Sequence, residues 1–166
     1  MKVLFIAGRE PFYMRNNIIL KGLKLNGVEV VECTSSSPTY LRRYREVLTK
    51  FIMKNEKDID LIFIGYVGQP LVPIIKVLKN KPILFDVFLS IWDTLCFDRR
   101  IISPNSLLGK LFYNIDKISC ELSDHILLDT EAHVKYFTET FNIERDKFSH
   151  VFVGADDSIF FPRTIP

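Results

Sequence analysis

Short apolar runs alternate along this chain with longer segments, and this alternation limits the possible folds more than any other feature. The first run, at residues 3–6, is apolar at every position, and Gly8 breaks it. A run without polar alternation is typical of a strand covered on both faces, as in a parallel sheet. Further runs predict strands at residues 28–33, 60–65, 83–87, 125–129 and 148–153.

The segments between these runs are long enough for crossover helices. Helices are predicted at residues 18–25, 40–52, 71–78, 103–118 and 130–141, most of them from apolar residues that recur at spacings of three and four. Parallel strands joined by helices form right-handed crossover units. The alternation therefore predicts an α/β Rossmann-like three-layer domain with a mostly parallel sheet of about six strands.

Length and composition are those of a single globular domain. The chain has 166 residues, and its formal net charge of +2 gives no argument for binding to nucleic acid. Its three cysteines lie far apart, without the spacing of metal ligands, so no metal site is predicted. No apolar run approaches the ~20 residues that span a bilayer, and the first run is too short for a signal peptide. We therefore expect reduced thiols and a cytoplasmic location.

Several common catalytic motifs are missing. Only Gly8 follows the first predicted strand, where a dinucleotide-binding protein would have G-x-G-x-x-G. The chain also has no Walker loop, no H-E-x-x-H, no G-x-S-x-G and no C-x-x-C. These observations disfavour an oxidoreductase, a kinase, a zinc protease and a hydrolase, and no cofactor is predicted.

Polar residues follow the predicted strands at their carboxyl ends, where an open parallel sheet binds its ligands. Five candidates for substrate binding come after the first strand: Gly8, Arg9, Tyr13, Arg15 and Asn16. The later strand ends contribute a second group: Asp86, Ser90, Asp93, Thr94, Asp98, Arg99, Asp129, Thr130 and Gly154. Because these ends share one edge of a parallel sheet, we expect Gly8, Asp86, Asp129 and Gly154 to lie along that edge.

The chemistry of these side chains suits a sugar or a phosphate. Aspartates bind sugar hydroxyls or act as bases, so Asp86 and Asp93 are the catalytic candidates, while Arg99 can hold a phosphate with its planar fork. A structural interpretation stays open, in which Asp98 and Arg99 form a loop salt bridge and Thr130 caps the helix that follows it. His133 is interpreted as an ordinary helix residue.

The predicted helix at residues 40–52 is amphipathic and basic. Arg42, Arg43 and Arg45 lie mostly opposite its apolar side. Such a helix can rest on an anionic membrane or bind phosphate, but a solvated face is the more common interpretation. A peripheral contact with the inner surface of a membrane therefore stays open.

Three passages carry a resemblance to a known family. Residues 151–162 read Val-Phe-Val-Gly-Ala-Asp-Asp-Ser-Ile-Phe-Phe-Pro, which resembles the v-p-x-G-v-D-x-x-x-F-x-P passage of glycosyltransferases of family 4 (group 1). Residues 85–94 with Asp98-Arg99, and residues 128–133, resemble a subgroup of the same enzymes. The resemblance implies the N-terminal domain of a GT-B fold at residues 1–157, with residues 158–166 beginning a linker to an absent C-terminal donor-binding domain.

The resemblance also implies a function. The full enzyme would move a sugar from a nucleotide-sugar donor to a hydroxyl of an acceptor sugar or a lipid-linked acceptor, retaining configuration and without a metal. This domain would supply the acceptor side and would be inactive alone. The single Gly8 departs from the Gly-rich turn of many members. Two alternatives stay open: a non-catalytic binding subunit that pairs with a separate donor-binding chain, and half of a sugar-nucleotide epimerase.

Overall fold

The computed structural model describes residues 1–10, 12–54, 58–157 and 159–162. Over these residues, six parallel strands form one open sheet in the order β2-β1-β3-β4-β5-β6. The strands are β1 (Lys2–Ala7), β2 (Glu29–Cys33), β3 (Leu61–Gly65), β4 (Ile83–Asp86), β5 (His125–Leu128) and β6 (Phe148–His150). The predicted α/β fold class is confirmed.

Helices connect these strands. They are α1 (Met14–Leu25), α2 (Tyr40–Met53), α3 (Leu71–Leu78), α4 (Ile91–Asp93), α5 (Leu107–Leu122) and α6 (Glu131–Phe141). A π-helical turn (Thr94–Asp98) continues α4, and a 3-10 turn (Arg145–Lys147) precedes β6. Among the residues described, no helix is long and apolar enough to cross a bilayer.

The strand order distributes the helices unequally between the two faces of the sheet. The chain steps from β1 to β2 in one direction and from β2 onward in the other, so right-handed crossovers place α1 on one face and the later crossover helices on the other. Leu20 of α1 packs there against Val3, Phe5 and Phe63. The helices α2, α3, α5 and α6 contribute to the larger core on the opposite face. Positions 3–7 of β1 are fully buried, as the uniformly apolar run predicts.

Three predicted boundaries are wrong. Helix α1 begins at Met14 rather than near residue 18, so Arg15 and Asn16 lie in its first turn and not in a loop. Helix α5 begins after Ser106, whose hydroxyl accepts a hydrogen bond from the Gly109 amide at 3.1 Å. Strand β6 ends at His150, since residues 151–153 leave the sheet after the Val151 amide donates to the Leu128 carbonyl at 2.8 Å. Of the predicted linker, positions 158 and 163–166 lie outside the described residues.

Candidate functional site

The carboxyl ends of the strands share one edge of the sheet. Gly8 directly follows β1, Asp86 ends β4 and Asp129 directly follows β5, so these three lie at the same edge, as expected. Gly154 lies four residues beyond the end of β6 and packs beside Ile18 of α1. The strand ends therefore bring the two groups of predicted site residues to one side of the domain.

A cleft of about 360 Å³ opens at this edge beyond β3 and β4. We call it the tyrosine cleft, because Tyr40, Tyr44 and Tyr66 line it together with three predicted site residues, Ser90, Thr94 and Arg99. Its other lining residues are apolar: Val67, Pro70, Leu89, Ile91, Leu95 and Phe112. Among the described residues, none of the five candidates that follow β1 in sequence lines it.

Two residues beside the cleft have a strained backbone. Val67 follows β3 with φ 58°, and Phe88 follows β4 with φ 59°. A positive φ is unfavourable for a bulky residue and especially for a β-branched one, and such strain clusters at functional sites. Tyr44 donates a hydrogen bond to the Val67 carbonyl at 2.9 Å, and the Phe88 ring lies between the Arg15 guanidinium and Tyr66.

Gly8 explains how the loops after β1 and β3 fit together. A Cβ at this position would lie 1.8 Å from the Val67 carbonyl oxygen, so only glycine allows the approach. The strand order changes direction between β1 and β3, and this is where an open sheet usually binds its ligand. Here the two loops touch at that point, and the cleft lies one strand farther along.

The π-helical turn shapes another wall of the cleft. The Arg99 amide donates to the Thr94 carbonyl at 2.9 Å, the wide hydrogen bond that defines such a turn. Thr94 also donates from its hydroxyl to the Ser90 carbonyl at 2.7 Å. The exposed Arg99 side chain, which directly follows this turn, lines the cleft. Single π-helical turns occur frequently at functional sites.

A buried carboxylate that the sequence analysis missed holds the segment after β4. Asp116 of α5 accepts hydrogen bonds from the Ser90 hydroxyl at 2.7 Å and from the Trp92 amide at 2.8 Å. Burial raises the pKa of Asp116 to about 6, although these hydrogen bonds act to lower it. Ser90 in turn accepts from the Asp93 amide at 2.9 Å and caps α4. An aspartate on the buried side of an apolar helix is the sequence signal that could have identified it.

Arg15 and Asp86 form a buried ion pair. Their closest contact is 2.7 Å, and both carboxylate oxygens of Asp86 accept from Arg15. Arg15 also donates to the Val151 carbonyl at 3.1 Å and to the Leu128 carbonyl at 3.4 Å. Burial raises the pKa of Asp86, while Arg15 acts to lower it. These contacts support a structural role that ties α1 to the strand ends, and the catalytic role of Asp86 stays a prediction.

The remaining candidates after β1 do not line the cleft. Arg9 donates to the Tyr40 hydroxyl at 2.6 Å, and its guanidinium stacks on the Tyr13 ring at 4.8 Å. The Tyr13 ring packs against Tyr66 with 5.2 Å between centroids. Asn16 is fully buried, and neither polar atom of its side chain has a hydrogen-bond partner among the described residues.

Asp93 remains the more accessible catalytic candidate. It is half-buried and accepts a hydrogen bond from the Tyr136 hydroxyl at 2.9 Å. Burial raises the pKa of Tyr136, and the hydrogen bond to Asp93 raises it further. Asp98 is exposed on the π-helical turn and Gly154 is exposed beyond β6, so neither lies in the cleft.

Thr130 caps α6, as the structural interpretation of that residue predicted. Its hydroxyl accepts from the His133 amide at 3.2 Å. The Asp129 carboxylate contacts Nδ1 of His133, one turn into the helix. His133 is therefore oriented by a carboxylate at the sheet edge, a contact that its description as an ordinary helix residue did not anticipate.

The chemistry of the cleft suits an amphiphilic ligand with an anionic or hydroxylated head. Aromatic rings and aliphatic side chains offer apolar area, and Arg99 offers a positive charge. Thr94 offers its hydroxyl oxygen as an acceptor, since its proton is donated to the Ser90 carbonyl. Burial raises the pKa of Tyr66 to about 12 and raises that of Tyr44 as well, so both phenols are neutral near pH 7. Within the described ranges, no three His, Cys, Asp or Glu side chains converge to hold a metal ion.

Comparison with known proteins adds no family assignment. No family model matches the chain, and a search of curated proteins gives no significant match.

Proposed function

We propose that the chain is the acceptor-binding half of a GT-B glycosyltransferase of family 4. The observation that carries this proposal is the tyrosine cleft, where Ser90, Thr94 and Arg99, from the passage that resembles this family, line one pocket with three tyrosines. Its position at the carboxyl edge of a parallel sheet is where such folds bind their substrates.

Each part of the cleft has a task in this proposal. The tyrosine rings stack on a sugar ring or on an apolar chain of the acceptor, and Arg99 pairs with an acceptor phosphate. Asp93 directly precedes Thr94 of the cleft. It is the more available of the two catalytic candidates, since both oxygens of Asp86 are bonded to Arg15.

Transfer also needs a donor site. A donor-binding domain would hold the nucleotide sugar and its leaving phosphate against the acceptor, because group transfer depends on positioning both reactants. The donor contacts would come mainly from that domain, so these 166 residues alone would bind the acceptor but would not transfer a sugar to it.

A non-catalytic binding subunit is the second candidate. The hydrogen bonds of Asp86 and Asp93 favour it, because each carboxylate already accepts from another side chain. Asp86 accepts from Arg15, and Asp93 accepts from Tyr136. Such a subunit would use the same cleft to hold the acceptor for a separate donor-binding chain.

Ligand titrations monitored by two-dimensional 1H–15N correlation NMR test the cleft. Octyl phosphate and octyl glucoside, used below their micelle concentrations, separate recognition of the phosphate from recognition of the sugar. We expect shifts at Tyr66, Thr94 and Arg99, and Arg99→Gln should weaken octyl phosphate binding about tenfold, because a hydrogen bond to a charged group is lost. Arg100→Gln is the matched control, since Arg100 is also exposed but does not line the cleft.

Two outcomes contradict the proposal, and they contradict different parts of it. Titrations without shifts around the cleft would refute the acceptor site. Tight nucleotide-sugar binding by calorimetry, or sugar transfer by this chain alone, would refute the half-enzyme assignment and leave the acceptor cleft intact.

A further inference from the structure

Large apolar side chains are exposed on three neighbouring helices of one face. Leu41 of α2 is 84% exposed, Val77 of α3 is 86% exposed and Leu107 of α5 is 88% exposed. Ile74, Leu78, Leu108 and Leu111 on α3 and α5 are exposed as well. A single exposed leucine needs no explanation, but a group of this size on adjacent helices marks an interaction surface.

A groove between α2 and α3 connects part of this surface. It has a volume of about 600 Å³, and Leu41, Leu48, Leu71 and Ile74 line it together with Arg42 and Arg45. Among the residues described, none of those lining it is acidic. The acid nearest in sequence on α2, Glu46, is bonded to Ser35, Ser37 and Arg42, and these bonds lower its pKa to about 2.

Positive charges accompany the apolar residues. Arg42 and Arg45 lie on α2, Arg100 follows the π-helical turn and Lys110 lies in the first turn of α5, all of them exposed. Arg42 forms an ion pair with Glu46 at 2.9 Å, so the net positive charge comes from Arg45, Arg100 and Lys110. The exposed Asp98 is the acid closest to Arg100 in sequence. Because α2, α3 and α5 pack on the same face of one sheet, their outer sides form a layer. A layer of apolar side chains with basic neighbours complements the apolar interior and the negative headgroups of an anionic bilayer surface.

We propose that this α2–α3–α5 surface docks peripherally on an anionic membrane, with the apolar side chains at the headgroup boundary and the arginines on lipid phosphates. The docking does not depend on the proposed function. The groove shares Tyr44 and Pro70 with the tyrosine cleft. If the cleft binds the acceptor, as proposed above, docking places the cleft beside the bilayer and the acceptor is lipid-linked.

Vesicle sedimentation with the full 166-residue chain tests the docking. We expect binding to vesicles that contain phosphatidylglycerol, and much weaker binding to pure phosphatidylcholine. Added salt should weaken the binding, because the screening length falls from ~10 Å at 0.1 M to ~3 Å at 1 M. Arg45→Gln with Lys110→Gln should reduce partitioning by about fivefold for each charge removed.

Matched variants separate this surface from the rest of the molecule. Leu41→Ser with Val77→Ser should abolish binding. Leu25→Ser, on α1 at the opposite face, should leave it unchanged, although Leu25 is 77% exposed. Circular dichroism and thermal unfolding verify that each variant is folded before its binding is compared.

Three results would overturn the proposal. Binding that is equal for neutral and anionic vesicles, or absent for both, excludes an anionic membrane as the partner. An equal loss for Leu25→Ser excludes this surface as the docking site. A concentration-dependent dimer that Leu41→Ser disrupts, without vesicle binding, would assign the surface to a second copy of the chain. None of these three results tests the acceptor cleft, which the ligand titrations test independently.

Discussion

Two neighbouring regions of the sheet edge use the same residue types in opposite ways. In the first, which we call the closed region, Arg15 is 4% exposed and is bonded to Asp86 and to two backbone carbonyls. In the second, the tyrosine cleft, Arg99 is exposed beside three phenol rings and a hydroxyl. Both arginines belong to segments that border strand ends, and the sequence alone predicts both as ligand-binding residues.

The difference comes from what covers each arginine. Helix α1 covers the ends of β1 and β4, and a buried charge must be paired because its loss of hydration is otherwise not offset. Arg99 is exposed, so its charge stays in water at the cleft. A polar residue at a strand end therefore indicates the functional edge of the sheet, but the surrounding helices decide whether it is available to a ligand.

Breaking the buried pair should have the largest effect. Asp86→Ala leaves the Arg15 charge buried without its carboxylate, and such a change destabilises a protein by about 3–5 kcal/mol. Urea unfolding at pH 7 measures the free energy of unfolding of the variant against the parent. Arg99→Gln should change it by less than about 0.5 kcal/mol, since Arg99 is exposed.

A double variant is the control for the buried pair. Arg15→Met with Asp86→Leu replaces both charges by apolar groups of similar size, which should recover much of the lost stability. A loss of less than about 1 kcal/mol for Asp86→Ala would place the pair among surface ion pairs and contradict the closed region as described.

The second effect is a pH dependence beside the cleft. Burial raises the pKa of Asp116 to about 6, whereas an unfolded chain has a value of about 3.9. The folded state holds this proton more tightly, so the stabilisation is fully present below about pH 4 and is lost as the pH rises through about 6. A shift of this size corresponds to about 3 kcal/mol. Urea unfolding of the parent and of Asp116→Asn between pH 4 and 8 should show the difference between them falling as the pH rises.

Asp124 gives a control of opposite sign. Although burial acts to raise its pKa, hydrogen bonds from Lys76 and from the Ile83 amide lower it. The stability that Asp124 contributes should therefore be lost as the pH falls below about 4. Asp124→Asn should remove that loss when the unfolding series is extended below this pH. If the parent and Asp116→Asn have parallel pH profiles, Asp116 is not the group that titrates near pH 6.

The fold was predictable because its signals are local and strong. The apolar run at residues 3–6 indicates a strand buried on both faces, and five further runs identify the other strands of the sheet. The end of β6 was not predictable in the same way. Residues 151–153 are as apolar as a strand, but they continue past the last hydrogen bond to β5, and a sequence pattern does not show where a partner strand ends.

The cleft was only partly predictable. Ser90, Thr94 and Arg99 follow a strand and were identified, whereas Tyr40 and Tyr44, on the apolar side of α2, were not. That side meets the sheet in the middle of the helix, but its first turns reach the carboxyl edge, where the same side faces the cleft. The pairing of Arg15 with Asp86 joins residues 71 positions apart, which no local pattern reveals.

The loop after β1 contacts the loop after β3 between the two regions, and we call this contact the seam. Substitution of Gly8 tests the seam, with a smaller expected effect. Its missing side chain lets the loop after β1 touch the loop after β3, since a Cβ would lie 1.8 Å from the Val67 carbonyl oxygen. Gly8→Ala forces these backbones apart, and overpacking of this kind destabilises by about 1–3 kcal/mol.

Gly22 offers the matched control for this substitution. It lies inside α1, and nothing lies within 4 Å of the position of its missing Cβ. Alanine is favoured over glycine in a helix by about 1 kcal/mol, so Gly22→Ala should stabilise the protein while Gly8→Ala destabilises it. Urea unfolding gives both values, and an octyl phosphate titration of Gly8→Ala shows whether the cleft depends on the seam. The added methyl group would displace the carbonyl of Val67, a residue that lines the cleft. We therefore expect weaker octyl phosphate binding together with lower stability. Lower stability with unchanged binding would mean that the seam belongs to the closed region alone.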